Sequence, residues 1–120
     1  MQQGKYVDGF VVPVKTGEKE AYRAIADKAA RIFMRHGAVE VVECWADDVK
    51  PGKHTSFPQA VHLKDSETVV FAWIVWPTRE LRDRGMQAVM EDPEMDKDPA
   101  HMPFDTKRMI FGGFGVLVNH

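Results

Sequence analysis

Thr68-Val-Val-Phe-Ala-Trp-Ile-Val-Trp76 is the stretch on which the fold turns. After Thr68 come eight apolar residues, β-branched and aromatic, set between the polar Lys64-Asp65-Ser66-Glu67 and Pro77. Branching at Cβ suits the pleat of a sheet better than the turn of a helix, and the length is that of an ordinary strand. A strand with one wet face carries a polar residue at every second position. This one carries none, so both of its faces are expected to be dry.

Toward the N-terminus, Tyr6 to Val14 reads the same way: rich in Val and Phe, closed by Pro13 and the turn Lys15-Thr16-Gly17, and apolar or small on both faces apart from Asp8. A helix is predicted from Glu18 to about His36, with Thr16 as N-cap and Glu18 and Glu20 complementing the helix dipole. Its apolar stripe is Tyr22, Ile25, Ala26, Ala29, Ile32 and Phe33, at steps of three and four, and Gly37 is the expected C′ glycine. Ala38 to Trp45 reads as a strand whose acidic residues mark a partly solvated or edge position. The connection Ala46 to Ser66 is long enough to have a task of its own, with Pro51-Gly52 as a turn and Ser56-Phe57-Pro58 as the start of one helical turn.

Beyond Trp76, Thr78 caps a second predicted helix, with Leu81, Gly85, Ala88 and Val89 inward and an end near Asp92-Pro93. Glu91 to Asp105 reads as acidic loop with a short turn of helix, and Lys107 to Val118 as a last strand in which Gly112-Gly113 marks a bulge or a close approach. The order β-α-β-β-α-β defines a ferredoxin-like α+β fold, a four-stranded antiparallel sheet with both helices on one face, filling residues 1–120 as a single domain. Two helices cover one face of such a sheet. The strands from Tyr6, Thr68 and Lys107 are apolar on both, so a homodimer packed sheet to sheet is expected.

Composition narrows the functional classes. The chain has 120 residues, 44% apolar and 28% charged, as an ordinary globular protein does. Sixteen basic and eighteen acidic residues are interspersed for a net charge of −2, which gives no electrostatic reason to bind nucleic acid or an anionic membrane. Cys44 is the single cysteine, so no intrachain disulfide forms and a reducing cytoplasm is the simplest location. Met1-Gln2-Gln3-Gly4-Lys5 has no signal-peptide character, and no apolar run approaches the roughly 20 residues of a membrane span.

Three segments carry a resemblance: Tyr6-Val-Asp-Gly-Phe-Val-Val-Pro13, Glu67 to Trp76, and Met102-Pro-Phe-Asp-Thr-Lys-Arg-Met-Ile-Phe-Gly-Gly-Phe114. Together they resemble the YbaA-like bacterial domain-of-unknown-function family of the dimeric α+β barrel superfamily, from Tyr6 to Val118. The resemblance implies the fold and the homodimer. It implies no reaction and no catalytic residues.

Candidate chemistry therefore rests on single residues. Asp8, a carboxylate in an apolar strand, is a candidate general base if buried, and otherwise a partner for a Lys or Arg or for the dimer mate. His54, behind the Pro51-Gly52 turn, is a second catalytic candidate on a lid, or else an exposed loop histidine. Trp73 is a candidate pocket wall. Arg108 is a candidate carboxylate binder, or else a strand-end charge paired with Asp105 or Glu67. His36 at a helix C-terminus is explained by the dipole, and Cys44 by packing. His101 among Asp96, Asp98 and Asp105 matches no metal-ligand spacing and reads as a solvated acidic loop, so neither metal nor cofactor is expected. Two functions fit: a cytoplasmic homodimer that binds or transforms a small apolar or aromatic metabolite without a cofactor, or a non-catalytic dimerisation and binding module.

Overall fold

The two most apolar runs become the two inner strands of one sheet. A computed structural model describes residues 5–120 and contains β1 (Tyr6–Lys15), α1 (Lys19–Arg35), β2 (Glu40–Trp45), the single-turn α2 (Phe57–Ala60), β3 (Glu67–Trp76), α3 (Arg79–Glu91) and β4 (Ile110–Gly115). The strand order is β2-β3-β1-β4 with every neighbour antiparallel, the ferredoxin-like βαββαβ arrangement that the element order implies. β2 is an edge strand, as its acidic residues indicate.

Register sorts the side chains. Asp8 pairs with Ile74, Phe10 with Ala72 and Val12 with Val70, so these residues, with Trp76, lie on one face. That face meets both helices. Tyr22 of α1 packs with Val12, Val14, Val70 and Ala72, while Phe33 of α1 and Met86 of α3 close over Ile74 and Trp76. Trp76 is fully buried, its ring edge-on to Phe33 at 6.3 Å between centroids. Each such large side chain taken out of water contributes about 1.5–3 kcal/mol.

The opposite face is dressed unevenly, with Val75 buried toward one end of β3 and Val69 toward the other. Val61, with no exposed surface, packs on Val11 and Val69 together with Ala46 and Leu63, and this is the task of the long 46–66 connection. Ser56 caps α2 by accepting a hydrogen bond from the Gln59 amide. Beyond this cover, Phe71, Ile110 and Phe114 stay 43%, 44% and 62% exposed in the isolated chain.

Some local expectations change. Thr16 does not cap α1. It opens a 3-10 turn (Thr16–Glu18), its hydroxyl bonds that of Thr68 at 2.7 Å, and α1 starts without a side-chain cap. Thr78 does cap α3, accepting from the Leu81 amide, but Leu81 itself faces water, and Arg82, Gly85, Met86 and Val89 turn inward. Gly37 has the positive φ of a C′ glycine, 110°. β4 is shorter than Lys107–Val118 and its ladder is regular through Gly112↔Gly9 and Gly113↔Asp8, so there is no bulge. Gly113 serves close approach, since a Cβ there would lie 2.5 Å from Arg82 Nη2, whereas a Cβ on Gly112 would meet Phe114 at 3.6 Å, an ordinary contact.

Candidate functional site

Between Tyr22 and Phe33 the inner side of α1 carries Ala26, Ala29 and Ala30. Their methyl groups hold the helix to the sheet without filling the space beneath it. Under this part of α1 runs β2, where register places Val41, Glu43 and Trp45 on the helix face, opposite Ile74, Ala72 and Val70. One carboxylate therefore projects beneath the helix. Tyr22 Oη donates to Glu43 Oε1 at 2.6 Å, and the Tyr22 ring is edge-on to Phe104 at 5.7 Å.

Three hollows share Tyr22, Ala26 and Glu43 as walls. One of about 260 Å³ opens between α1 and β2, with Lys19, Arg23 and Trp45 at its mouth. One of about 480 Å³ lies under the 94–109 segment and is lined by four methionines, Met90, Met95, Met102 and Met109. A smaller one, about 140 Å³, reaches in to Phe10, Phe33 and Ile74. Unbranched, polarisable Met side chains adapt their shape readily. Lys19 Nζ stands 5.4 Å from the Trp45 ring centre at the first mouth.

The electrostatics follow from this placement. Crowding by apolar neighbours raises the pKa of the Glu43 carboxyl, and the Tyr22 hydrogen bond offsets part of that rise. Glu43 as a whole remains accessible at the sheet edge, so water moderates the effect of that crowding. Burial, and next the nearby Glu43 charge, push the Tyr22 phenol far above its usual range, so Tyr22 keeps its proton and donates it in the hydrogen bond.

The four residues singled out from sequence do not meet here. Asp8 is buried on the helix face near Trp76: Arg82 Nη2 donates to its Oδ1 at 2.8 Å, Arg82 Nε reaches both oxygens at 3.1 Å, and Trp76 Nε1 donates to Oδ2 at 2.9 Å. The Arg82 guanidinium also stands 5.0 Å from the Tyr6 ring centre. This is the paired alternative for Asp8, with both oxygens taken. His54 is exposed in the 46–66 connection. Trp73 lies on the opposite face of the sheet, where its Nε1 donates to Glu40 at 3.2 Å, so it cannot share a pocket beneath the helices with Asp8.

Arg108 is wholly engaged. It forks onto Glu67 at 2.8 and 2.6 Å, meets Asp105 at 2.9 Å, and donates to the carbonyls of Val61 and His62. Both carboxylates are held below their usual pKa range, chiefly by the hydrogen bonds from Arg108. Arg108 thus clasps the 46–66 connection to the start of β3. The two carboxylates, Glu67 and Asp105, are the partners considered for it in sequence, whereas the two carbonyls are not.

Tyr22 and Glu43 are the pair that sequence reading passed over, although a signal was present. Glu40 and Glu43 are three apart in a strand, so they point to opposite faces, and one of them must lie under the helix. Tyr22, grouped with the apolar stripe, carries a hydroxyl that needs a partner once buried. His101 pairs with Asp96 at 2.7 Å on the surface, and among the described residues no group of three or more His, Cys, Asp and Glu side chains is arranged to hold a metal ion.

Solved structures with the same layout place the fold in a class. The chain is similar to SnoaB, a cofactor-independent oxygenase from Streptomyces nogalater, with TM-score 0.59 and 14% identity over 97% of this chain and 96% of that one. It is similar also to a putative antibiotic biosynthesis monooxygenase from Nitrosomonas europaea, with TM-score 0.54 and 15% identity over 98% and 94%. At such identities the likeness is one of fold alone: a ferredoxin-like α+β sheet. The protein belongs to the family described as "Protein of unknown function (DUF1428)", which matches residues 5–106. Within reach of sequence, it is 51% identical over 115 residues to the uncharacterized protein YbaA of Escherichia coli K12, covering 96% of this chain and 98% of the relative.

Proposed function

We propose that the protein is a homodimer that holds a small apolar or aromatic molecule, without a cofactor, in the hollow between α1 and the sheet. The observation that carries this is the Tyr22–Glu43 pair: a carboxyl and a phenol, joined at 2.6 Å, sharing three hollows otherwise walled largely by Ala, Val, Phe and Met. Apolar walls with a few converging polar groups are the usual make-up of a small-molecule site. The fold likeness to a cofactor-independent oxygenase supports a cofactor-free site and leaves the reaction open. On this reading Asp8 and Arg108 hold the fold, and Glu43 and Tyr22 replace Asp8 and His54 as the groups that touch a ligand.

The dimer reading rests on the open sheet face. Val7, Gly9, Val11, Phe71, Ile110 and Phe114 line a shallow apolar trough there, the area that a second copy would cover. A single free cysteine, Cys44, and the absence among the described residues of any helix long and apolar enough to cross a membrane accord with a cytoplasmic location.

Two measurements test the proposal. Sedimentation at micromolar concentration should show a dimer, and Phe114→Asp a folded monomer; a wild-type monomer would remove the sheet-to-sheet interface. Thermal-shift screening against small aromatic compounds should find stabilising ligands whose effect is lost when Ala30→Phe fills the hollow. Stabilisation that survives Ala30→Phe would place the ligand elsewhere.

A further inference from the structure

Resting on that reading of the hollow, we infer that its ligand is an uncharged aromatic or conjugated molecule bearing a weakly acidic hydroxyl, a phenol or an enol, which it donates to Glu43. The Glu43 carboxylate accepts one hydrogen bond among the described residues, from Tyr22 onto Oε1. An ionised carboxylate only accepts, and Tyr22, whose phenol stays protonated, fills one of its two oxygens. The other oxygen asks for a donor. An incoming hydrocarbon would displace water from that oxygen and give nothing back, leaving a desolvated acceptor unsatisfied. An incoming carboxylate would add a second negative charge beside the first.

An ammonium donor meets a different obstacle. Lys19 and Arg23 stand at the mouth, the Asp27 carboxylate among the walls is paired with Arg31, and Ala26, Ala30, Val41 and Val70 offer a cation no further side-chain acceptor. A hydroxyl is the donor that crosses such walls at small desolvation cost. Trp45 at the mouth and Phe104 behind Tyr22 offer ring faces and edges to a planar body. In the complex the ligand proton lies between two oxygens. Any phenolate or enolate that forms does so as Glu43 takes up that proton, so no oxidant or reductant enters the step.

The test uses four molecules of one shape: 2-naphthol, naphthalene, 2-naphthoate and 2-naphthylmethylammonium, titrated into the full chain and into Glu43→Gln, each shown folded by circular dichroism. Wild type should bind 2-naphthol at least about tenfold tighter than naphthalene, the worth of one hydrogen bond to a charged acceptor. Glu43→Gln should reduce that preference several-fold and tighten 2-naphthoate, a reversal of sign that loss of packing does not produce. If naphthol and naphthalene bind wild type alike, the hydroxyl assignment is overturned while the ligand hollow stands. If the ammonium binds tightest, the site is one for amines. If none of the four binds the folded protein, the hollow is not an aromatic site and the proposed function falls with it.

Discussion

Substituting Asn for Asp8 separates the two roles that this carboxylate can hold. Its side chain is 5% exposed and receives three contacts from Arg82, whose own side chain is 23% exposed, and one from Trp76 Nε1. Asn keeps the shape and still accepts from Trp76. It loses the charge, and turns an NH₂ toward a guanidinium that can only donate. Removing one partner of a buried pair costs about 3–5 kcal/mol. Arg82 retains some access to water and recovers part of this, so about 2–4 kcal/mol is expected, a fall in Tm of roughly 10–15 °C for a chain of this size. Urea unfolding of Asp8→Asn, Arg82→Gln and the double variant gives the coupling directly, and more than about 1 kcal/mol is expected between them. An Asp8→Asn protein as stable as wild type would refute the structural reading. If that protein had also lost ligand binding, Asp8 would return as a functional group.

Two further outcomes follow from the packing. Burial raises the Glu43 carboxyl above its unfolded pKa, so folding takes up a proton and wild-type stability relative to Glu43→Gln is greatest in acid. That advantage disappears as pH rises through the folded pKa, so at neutral pH Glu43→Gln should be the more stable protein, by no more than about 1 kcal/mol given the access of water; equal stabilities across pH 4–8 in thermal scans would contradict the raised pKa. Gly85→Ala would place a methyl group 2.7 Å from the His36 carbonyl oxygen and 2.8 Å from Cη2 of the fully buried Trp76. The roughly 1 kcal/mol gained in helix propensity is outweighed by overpacking of 1–3 kcal/mol or more against backbone that cannot move, so net destabilisation and a shifted Trp fluorescence are expected.

The parts of the structure legible in the sequence are those that depend on a repeated pattern. The unbroken apolar run of β3, the three-and-four spacing of α1 and the order of elements each sum over many residues, and each survives in the sheet order β2-β3-β1-β4. What depends on one contact was not legible. Thr16 looks like a helix cap until Thr68, a neighbour only in the folded chain, takes its hydroxyl. Arg82 sits in the inner stripe of α3, where Leu81 was expected, because Asp8 waits beneath it, a partner 74 positions away in the chain. Asp8 stood out in sequence for being the odd polar residue in an apolar strand. That property marks any buried pair, catalytic or not, and only the position of Arg82 tells the two apart.

The same reasoning explains why the site was harder to see than the fold. A hollow arises from volume that is absent, and Ala26, Ala29 and Ala30 register in a hydrophobic pattern just as larger core residues do. The lack of alternation in Thr68–Trp76 likewise carries two meanings that the sequence does not separate. Val70, Ala72, Ile74 and Trp76 are apolar because two helices lie on them. On the other side Val69 is covered by Val61 of the same chain, while Phe71 and Trp73 stay partly open. A chain that needed only its own core would have polar residues at 71 and 73, as antiparallel strands with a wet face do. Their apolar character is the ground on which the dimer interface is proposed for this face, and the hollow proposed for a ligand lies on the face that the helices cover.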